Sequence, residues 1–346
     1  MSTYIAKNVA AMQAYTPGEQ PQDRDLIKLN TNENPYPPSP RVALALAAFD
    51  SARLRLYPEP RNLALRRRVA AIHNCGEEQV FVGNGSDEIL ALATRAFVED
   101  HGRIGYCVPS YSLYPVLAAI RNVATAPLEL GPDFVWRQPE AYAADLFFLA
   151  NPNAPTSLLM PGHAVREFCA GLDGVVLIDE AYVDFACTNC LALAAALPNV
   201  LVMRTLSKSY SLAGLRLGYV VGPRPLIAAL YKIKDSYNVN RLTQRIAVAA
   251  LSDQPHMRRN VARILATRQR LGDRLRQAGF TVFPSEANFL WVQPPVVPAR
   301  DLFDRLKQEG VLVRHFAGPR TAAYLRVTVG SEGDVNRLLD TLRSIL

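Results

Sequence analysis

The sequence predicts an α/β protein: a mostly parallel, doubly wound sheet in a large domain, followed by a smaller α+β domain. Three observations carry this expectation. Short apolar runs bounded by turn residues recur between residues 79 and 221, with helical patterns between them. Runs such as Val175–Asp179 are apolar on both faces, as strands inside a parallel sheet are. Beyond Pro255 the pattern changes to one long amphipathic helix followed by short alternating strands and helices. A chain of 346 residues is long enough to bury two cores.

In chain order, the segment before Arg41 is Pro-rich and extended, and is expected to pack on the second unit. The predicted large domain is therefore 41–254, and the small domain combines 1–40 with 255–346. Gln79–Gly83 and Arg103–Val108 read as strands flanking a helix at Ser86–Val98. Asp145–Ala150, Val175–Asp179, Val200–Arg204 and Gly218–Val221 read as buried parallel strands, with a helix at Pro161–Leu172. The second unit reads as a helix at His256–Ala278, strands at Thr281–Phe283 and Asn288–Val292, a helix from Ala299, strands at Val311–His315 and Tyr324–Val329, and a last helix to Leu346. Ligands of doubly wound sheets bind beyond the carboxyl ends of strands. Asn151, Asp179 and Lys208 all fall at such ends.

Composition narrows the function classes. Hydrophobic content of 49% with 20% charged residues is that of a globular enzyme. No apolar run is long enough to span a bilayer, and the first residues lack a signal-peptide core, so a cytoplasmic protein is expected. The net charge is +7, but the basic residues are scattered, with the densest run at Arg66-Arg67-Arg68 on a predicted helix. Nucleic-acid binding is not expected without an aromatic-interleaved basic stripe. Five cysteines at irregular spacing make no disulfide framework, and Cys187-x-x-Cys190 lacks the second pair a zinc site needs.

Four short patterns carry chemistry. Lysine is rare here, six against 32 arginines, yet Lys208 sits in Thr205-Leu206-Ser207-Lys208 with Arg216 eight residues on. Lysine can lose its proton and condense with an aldehyde, which arginine cannot do. Hydroxyls at Thr205 and Ser207 with Arg216 suit a phosphate. Together these describe the aldehyde and phosphate ends of pyridoxal 5'-phosphate. Gly83-Asn84-Gly85-Ser86-Asp87 after a strand offers backbone N–H groups to an anion, or is plain helix capping. Asp179 ends a buried strand, where a carboxylate is costly unless paired. It suits a pyridine nitrogen, with Tyr182 able to reach the ring hydroxyl; a helix cap or metal ligand are the other readings. Asn151-Pro152-Asn153-Ala154-Pro155-Thr156 is a rigid turn that could hold an amide against a ring, or be an ordinary loop.

The order of these patterns resembles the fold-type-I, pyridoxal-phosphate-dependent class II aminotransferases, most closely the histidinol-phosphate aminotransferase group. The resemblance covers nearly the whole chain. It includes Leu29-Asn-Thr-Asn-Glu-Asn-Pro35, Tyr57-Pro-Glu59, Gly85-Ser-Asp-Glu88, Pro109-Ser-Tyr111, Asp179-Glu-Ala-Tyr182, Thr205-Leu-Ser-Lys208, Ala213-Gly-Leu-Arg216 and Leu325-Arg-Val-Thr-Val-Gly330. It implies that Lys208 is the covalent anchor and proton shuttle, Asp179 the partner of the pyridine nitrogen, Tyr182 the partner of the ring oxygen and Tyr111 the stacking ring. It also implies that Ser86, Asp87, Ser207, Arg216 and Thr205 hold the cofactor phosphate. Tyr57 would reach that phosphate from the other subunit of a homodimer. Arg326 would bind the acidic group of the substrate, with Arg314, Tyr15 and Asn34 bordering it. The chain departs from the family at two positions. The usual Asn-Asn-Pro-Thr-Gly becomes Asn153-Ala154-Pro155-Thr156-Ser157, so either Asn153 takes the ring contact through a shifted turn or Tyr182 bears it alone.

The implied reaction is transamination of L-histidinol phosphate with 2-oxoglutarate, in histidine biosynthesis. Two alternatives share these motifs: an aromatic amino-acid aminotransferase and a threonine-phosphate decarboxylase-like lyase. A regulator built on this scaffold would carry an added DNA-binding segment, whereas this chain starts almost directly at the catalytic body.

Overall fold

The computed structural model describes residues 4–21 and 25–346; residues 1–3, read above for a leader, lie outside them. A seven-stranded sheet runs in the order Val80–Gly83, Gly218–Val221, Val200–Thr205, Val175–Asp179, Leu146–Ala150, Arg103–Val108, Ala124–Glu129. Both faces are covered. Val200 and Val202 pack into the core on one face and Leu201 and Met203 into the core on the other, all fully buried. This two-sided burial explains the continuous apolar runs.

One strand corrects the sequence reading. Gly218–Val221 is antiparallel to both its neighbours, pairing Thr205 with Gly218 and Gly83 with Gly218. A parallel partner needs a long crossover, whereas residues 206–217 form only a compact return in which Leu206 N–H donates to the Leu217 carbonyl. The edge strand Ala124–Glu129 was not expected from sequence. Its half-exposed residues break the apolar pattern that marks the other strands.

The long helix spans Gln254–Gln277. Its first half buries Met257, Val261 and Ile264 in the large core, and its second half buries Leu271 and Leu275 in a separate core. That second core is roofed by an antiparallel sheet ordered Arg314–His315, Leu325–Thr328, Phe289–Gln293, Thr281–Val282. The N-terminal segment joins it: Ile27–Lys28 pairs in parallel with Val311–Leu312, and Thr328 N–H donates to the Leu29 carbonyl. Residues 29–34 thereby run along the carboxyl edge of the large sheet.

Candidate active site

A cavity of about 440 Å³ opens at the carboxyl ends of the central strands. Tyr15, Pro17, Gly18, Gln20, residues 30–33, the strand ends of the large sheet, and Arg314, Phe316 and Arg326 line it. Twelve of the residues singled out from sequence meet there: Tyr15, Ser86, Asp87, Tyr111, Asp179, Tyr182, Thr205, Ser207, Lys208, Arg216, Arg314 and Arg326.

One end of the cavity is built for an anion. The helix Ser86–Phe97 starts after Gly85, which supplies no side-chain cap, so the first-turn N–H groups have no such partner. Gly85 has φ +86°, and a Cβ there would lie 2.8 Å from Arg216 Nη2. A Cβ on Gly218 would lie 2.7 Å from the Ser86 nitrogen. Both glycines are required to bring Arg216 and the helix start together. Arg216, itself at φ 54°, donates to Asp87 Oδ2 at 3.1 Å. Thr205 Oγ1 lies 2.9 Å from Ser207 Oγ and 3.2 Å from the Leu217 carbonyl, so Thr205 supports Ser207 from inside the loop.

The cavity also holds a buried acid. Asp179 Oδ2 accepts from the Tyr114 hydroxyl at 2.9 Å, and Oδ1 from Ala181 N–H at 3.1 Å. Burial pushes its carboxyl up to about 6 despite these two bonds, and nearby Asp87 and Glu180 add to the rise. Tyr114 was missed in the sequence. It is fully buried, stacked on Phe148 at 4.9 Å and edge-on to Tyr111 at 5.5 Å. The Tyr111-x-x-Tyr114 spacing at a helix start was the one available signal. Lys208 lines the same cavity, its Nζ 3.2 Å from the Thr31 carbonyl and 5.7 Å from the centre of the Tyr182 ring.

A second cationic group closes the cavity. Arg326 Nη2 donates to the Asn30 carbonyl at 2.8 Å, while its Nε has no partner among the described residues. Its guanidinium lies 5.3 Å from the rings of both Phe289 and Phe316, and desolvation pulls it below its ordinary value. An incompletely paired guanidinium in such surroundings is a strong anion site. Arg314 is held beside it by the Thr16 and Pro17 carbonyls. Tyr15 contacts Tyr111 edge-on at 5.7 Å.

Two sequence assignments, Asn153 and Asn34, lie outside the cavity lining, and Tyr57, assigned to the partner subunit's site, lies on the surface. Asn153 is buried, and its amide is spent on Ser110, the Pro109 carbonyl and Thr156, so it does not face the cavity. Ala154 lines the cavity instead. Asn34 donates to the Lys208 and Ser209 carbonyls and braces the lysine turn from behind. Tyr57 is 75% exposed, stacked on Tyr237 at 4.4 Å, and does not line this cavity.

The raised Asp179 carboxyl has a testable consequence for the ligand-free chain. Below about pH 3.8 both folded and unfolded chains hold the proton. Between there and about pH 6 only the folded chain does, so this residue's contribution to stability falls as pH rises, and it is constant above. Relative to an Asp179→Asn variant, the wild-type chain is expected to lose up to about 3 kcal/mol between pH 4 and pH 7. Denaturant unfolding at both pH values measures this. A difference that does not change with pH would mean that Asp179 titrates as an ordinary carboxylate.

Known proteins share both sequence and shape with this chain. The family model for aminotransferase class I and II matches residues 24–342. Histidinol-phosphate aminotransferase 1 of Nostoc sp. is 42% identical, over 100% of this chain and 99% of its own. Histidinol-phosphate aminotransferase 2 of Thiobacillus denitrificans is 44% identical, over 99% and 98%. The structure of histidinol-phosphate aminotransferase from Sinorhizobium meliloti in complex with pyridoxal-5'-phosphate superposes with a TM-score of 0.89 at 24% identity, covering 100% of this chain and 99% of that one.

Proposed function

The chain belongs to the class I and II aminotransferases, and from that membership we propose how its cavity works. It is a pyridoxal-phosphate-dependent enzyme that transaminates L-histidinol phosphate in histidine biosynthesis. The amino acceptor is 2-oxoglutarate. The observation that carries the reading is what one cavity brings together: an uncapped helix start with Arg216, a buried acid and a single lysine.

The residues present fit the cofactor. The N–H groups of Ser86 and Asp87, the Ser207 hydroxyl and Arg216 hold its phosphate, and Asp179 holds a proton on its pyridine nitrogen. Tyr182 meets the ring oxygen and Tyr111 covers the ring. When bound, the cofactor supplies an electrophilic carbon and a ring that stores an electron pair. Lys208 is its covalent attachment. With its amine free, Lys208 would move the proton of the substrate α-carbon. Arg326 and Arg314 bind the substrate phosphate in one half-reaction and a carboxylate of 2-oxoglutarate in the other, since the guanidinium fork suits both anions. The cavity lies between the two cores, which supports a division into 41–254 and 1–40 with 255–346.

Single-turnover absorbance tests the reaction. Bleaching of the cofactor band by L-histidinol phosphate, with recovery on 2-oxoglutarate, is expected. Bleaching by phenylalanine alone would move the activity to aromatic amino acids, and CO₂ release from threonine phosphate would move it to a lyase.

The working unit is a homodimer in which Tyr57 completes the partner's phosphate site. Leu44, Leu46, Leu54 and Leu56 are exposed along the same segment as Tyr57, an apolar surface suited to a second copy. Tyr57→Phe is expected to weaken cofactor retention about ten- to a hundredfold, the worth of one hydrogen bond to a charged group. Light scattering should give twice the 38.1 kDa chain mass. A monomer that retains the cofactor would refute the shared site. Among the described residues, no helix is long and apolar enough to cross a membrane.

A further inference from the structure

The Tyr182 hydroxyl accepts a hydrogen bond from Asn32 Nδ2 at 3.0 Å. Asn32 is 1% exposed and sits at φ 56°, a conformation asparagine tolerates. Its amide orientation is held from behind by Thr328. The Asn32 backbone N–H, which can only donate, donates to Thr328 Oγ1 at 3.0 Å. The Thr328 hydroxyl in turn donates to Asn32 Oδ1 at 3.0 Å. The amide oxygen is thus committed to Thr328, which leaves Nδ2 facing Tyr182. Asn288 Nδ2 donates to the Asn32 carbonyl at 3.0 Å and fixes the backbone. The whole chain of bonds has one direction, from Asn32 N–H through Thr328 and the Asn32 amide to Tyr182 Oη.

That direction matters because a tyrosine hydroxyl carries a single proton. An amide turned the other way would take that proton. Held as it is, Asn32 donates, and the proton stays available to the cavity. No amide from the 151–157 loop does this work: Ala154 presents a methyl beside Tyr182, and the Asn153 amide is spent elsewhere.

We propose that Asn32, with its amide set by Thr328, is a positioning residue that turns the Tyr182 proton into the cavity toward the cofactor's ring oxygen. This rests on the cofactor assignment above. A donor at the ring oxygen favours its anionic form, so losing the donor moves the pH midpoint of the bound cofactor's visible band upward.

The test is a spectroscopic pH titration of the substrate-free holoenzyme. The variants are Asn32→Gly, which keeps the positive φ accessible, and Thr328→Val, which removes the hydroxyl that sets the amide. Each is made with Tyr182 intact and in a Tyr182→Phe background, with folding checked by circular dichroism. Tyr182→Phe should raise the midpoint by roughly one pH unit, and Asn32→Gly by roughly half of that or more. Thr328→Val should shift it the same way. Neither should shift it further once Tyr182 is Phe. An unchanged midpoint in folded Asn32→Gly and Thr328→Val, or an equal shift in the Tyr182→Phe background, would overturn the inference and leave the cofactor assignment standing. A wild-type protein that shows no visible band with pyridoxal phosphate would overturn both.

Discussion

Replacing Lys208 with alanine is expected to lower turnover by at least roughly 10⁴-fold, because in the proposed site one residue serves as both covalent attachment and proton carrier. No second amine can substitute: Lys208 is the one lysine among the described residues lining the cavity. The fold should survive, since the side chain is half-buried and its one described hydrogen bond is to the Thr31 carbonyl. The cofactor remains held by the helix start and Arg216, so the variant is expected to bind it reversibly and lose it on dialysis. Two readouts check this: steady-state turnover with L-histidinol phosphate, and the protein-bound visible band before and after dialysis. A band that persists through dialysis would place the attachment on another residue.

Replacing Arg326 with alanine is expected to reduce kcat/KM for both L-histidinol phosphate and 2-oxoglutarate by roughly 10²–10³-fold, the loss of one charge-assisted bidentate contact in a desolvated site. Arg326 stands between two aromatic rings with its Nε unpaired, so its guanidinium is prepared for an anion before one arrives. Arg326→Lys should recover little, since an ammonium lacks both the planar stacking and the fork. Competition between the two substrates gives a further check, because a shared arginine makes them mutually exclusive. A loss confined to one substrate would mean that the phosphate and carboxylate groups use separate subsites.

Much of this site was legible in the sequence, for a local reason. Gly85-Ser86-Asp87, Asp179 with Tyr182, and Thr205 through Arg216 each sit at the end of a buried strand. An apolar run followed by polar punctuation marks such a place without any knowledge of its neighbours. The scarcity of lysine drew attention to Lys208 in the same way. The surroundings of Asn153 and Asn34 were not legible, because an amide's chemistry is the same whether it faces a ligand or a backbone carbonyl. Only the surrounding donors and acceptors decide, and for Asn153 these are Ser110 and the Pro109 carbonyl, more than 40 positions away.

The sequence by itself determined six of the seven strands of the large sheet, all but the edge strand Ala124–Glu129, the two-core organisation of the patterns, and which residues are candidates for anion, acid and amine chemistry. These follow from burial periodicity and side-chain identity, which are properties of short segments. Tertiary structure alone decided the reversed direction of Gly218–Val221, the Tyr114 bond to Asp179, and the Thr328–Asn32–Tyr182 relay. Asn32 is 150 positions from Tyr182 and 296 from Thr328. The polarity of that relay exists only when the N-terminal segment, the large sheet and the C-terminal sheet have packed together, because each donor is defined by the acceptor that packing places beside it.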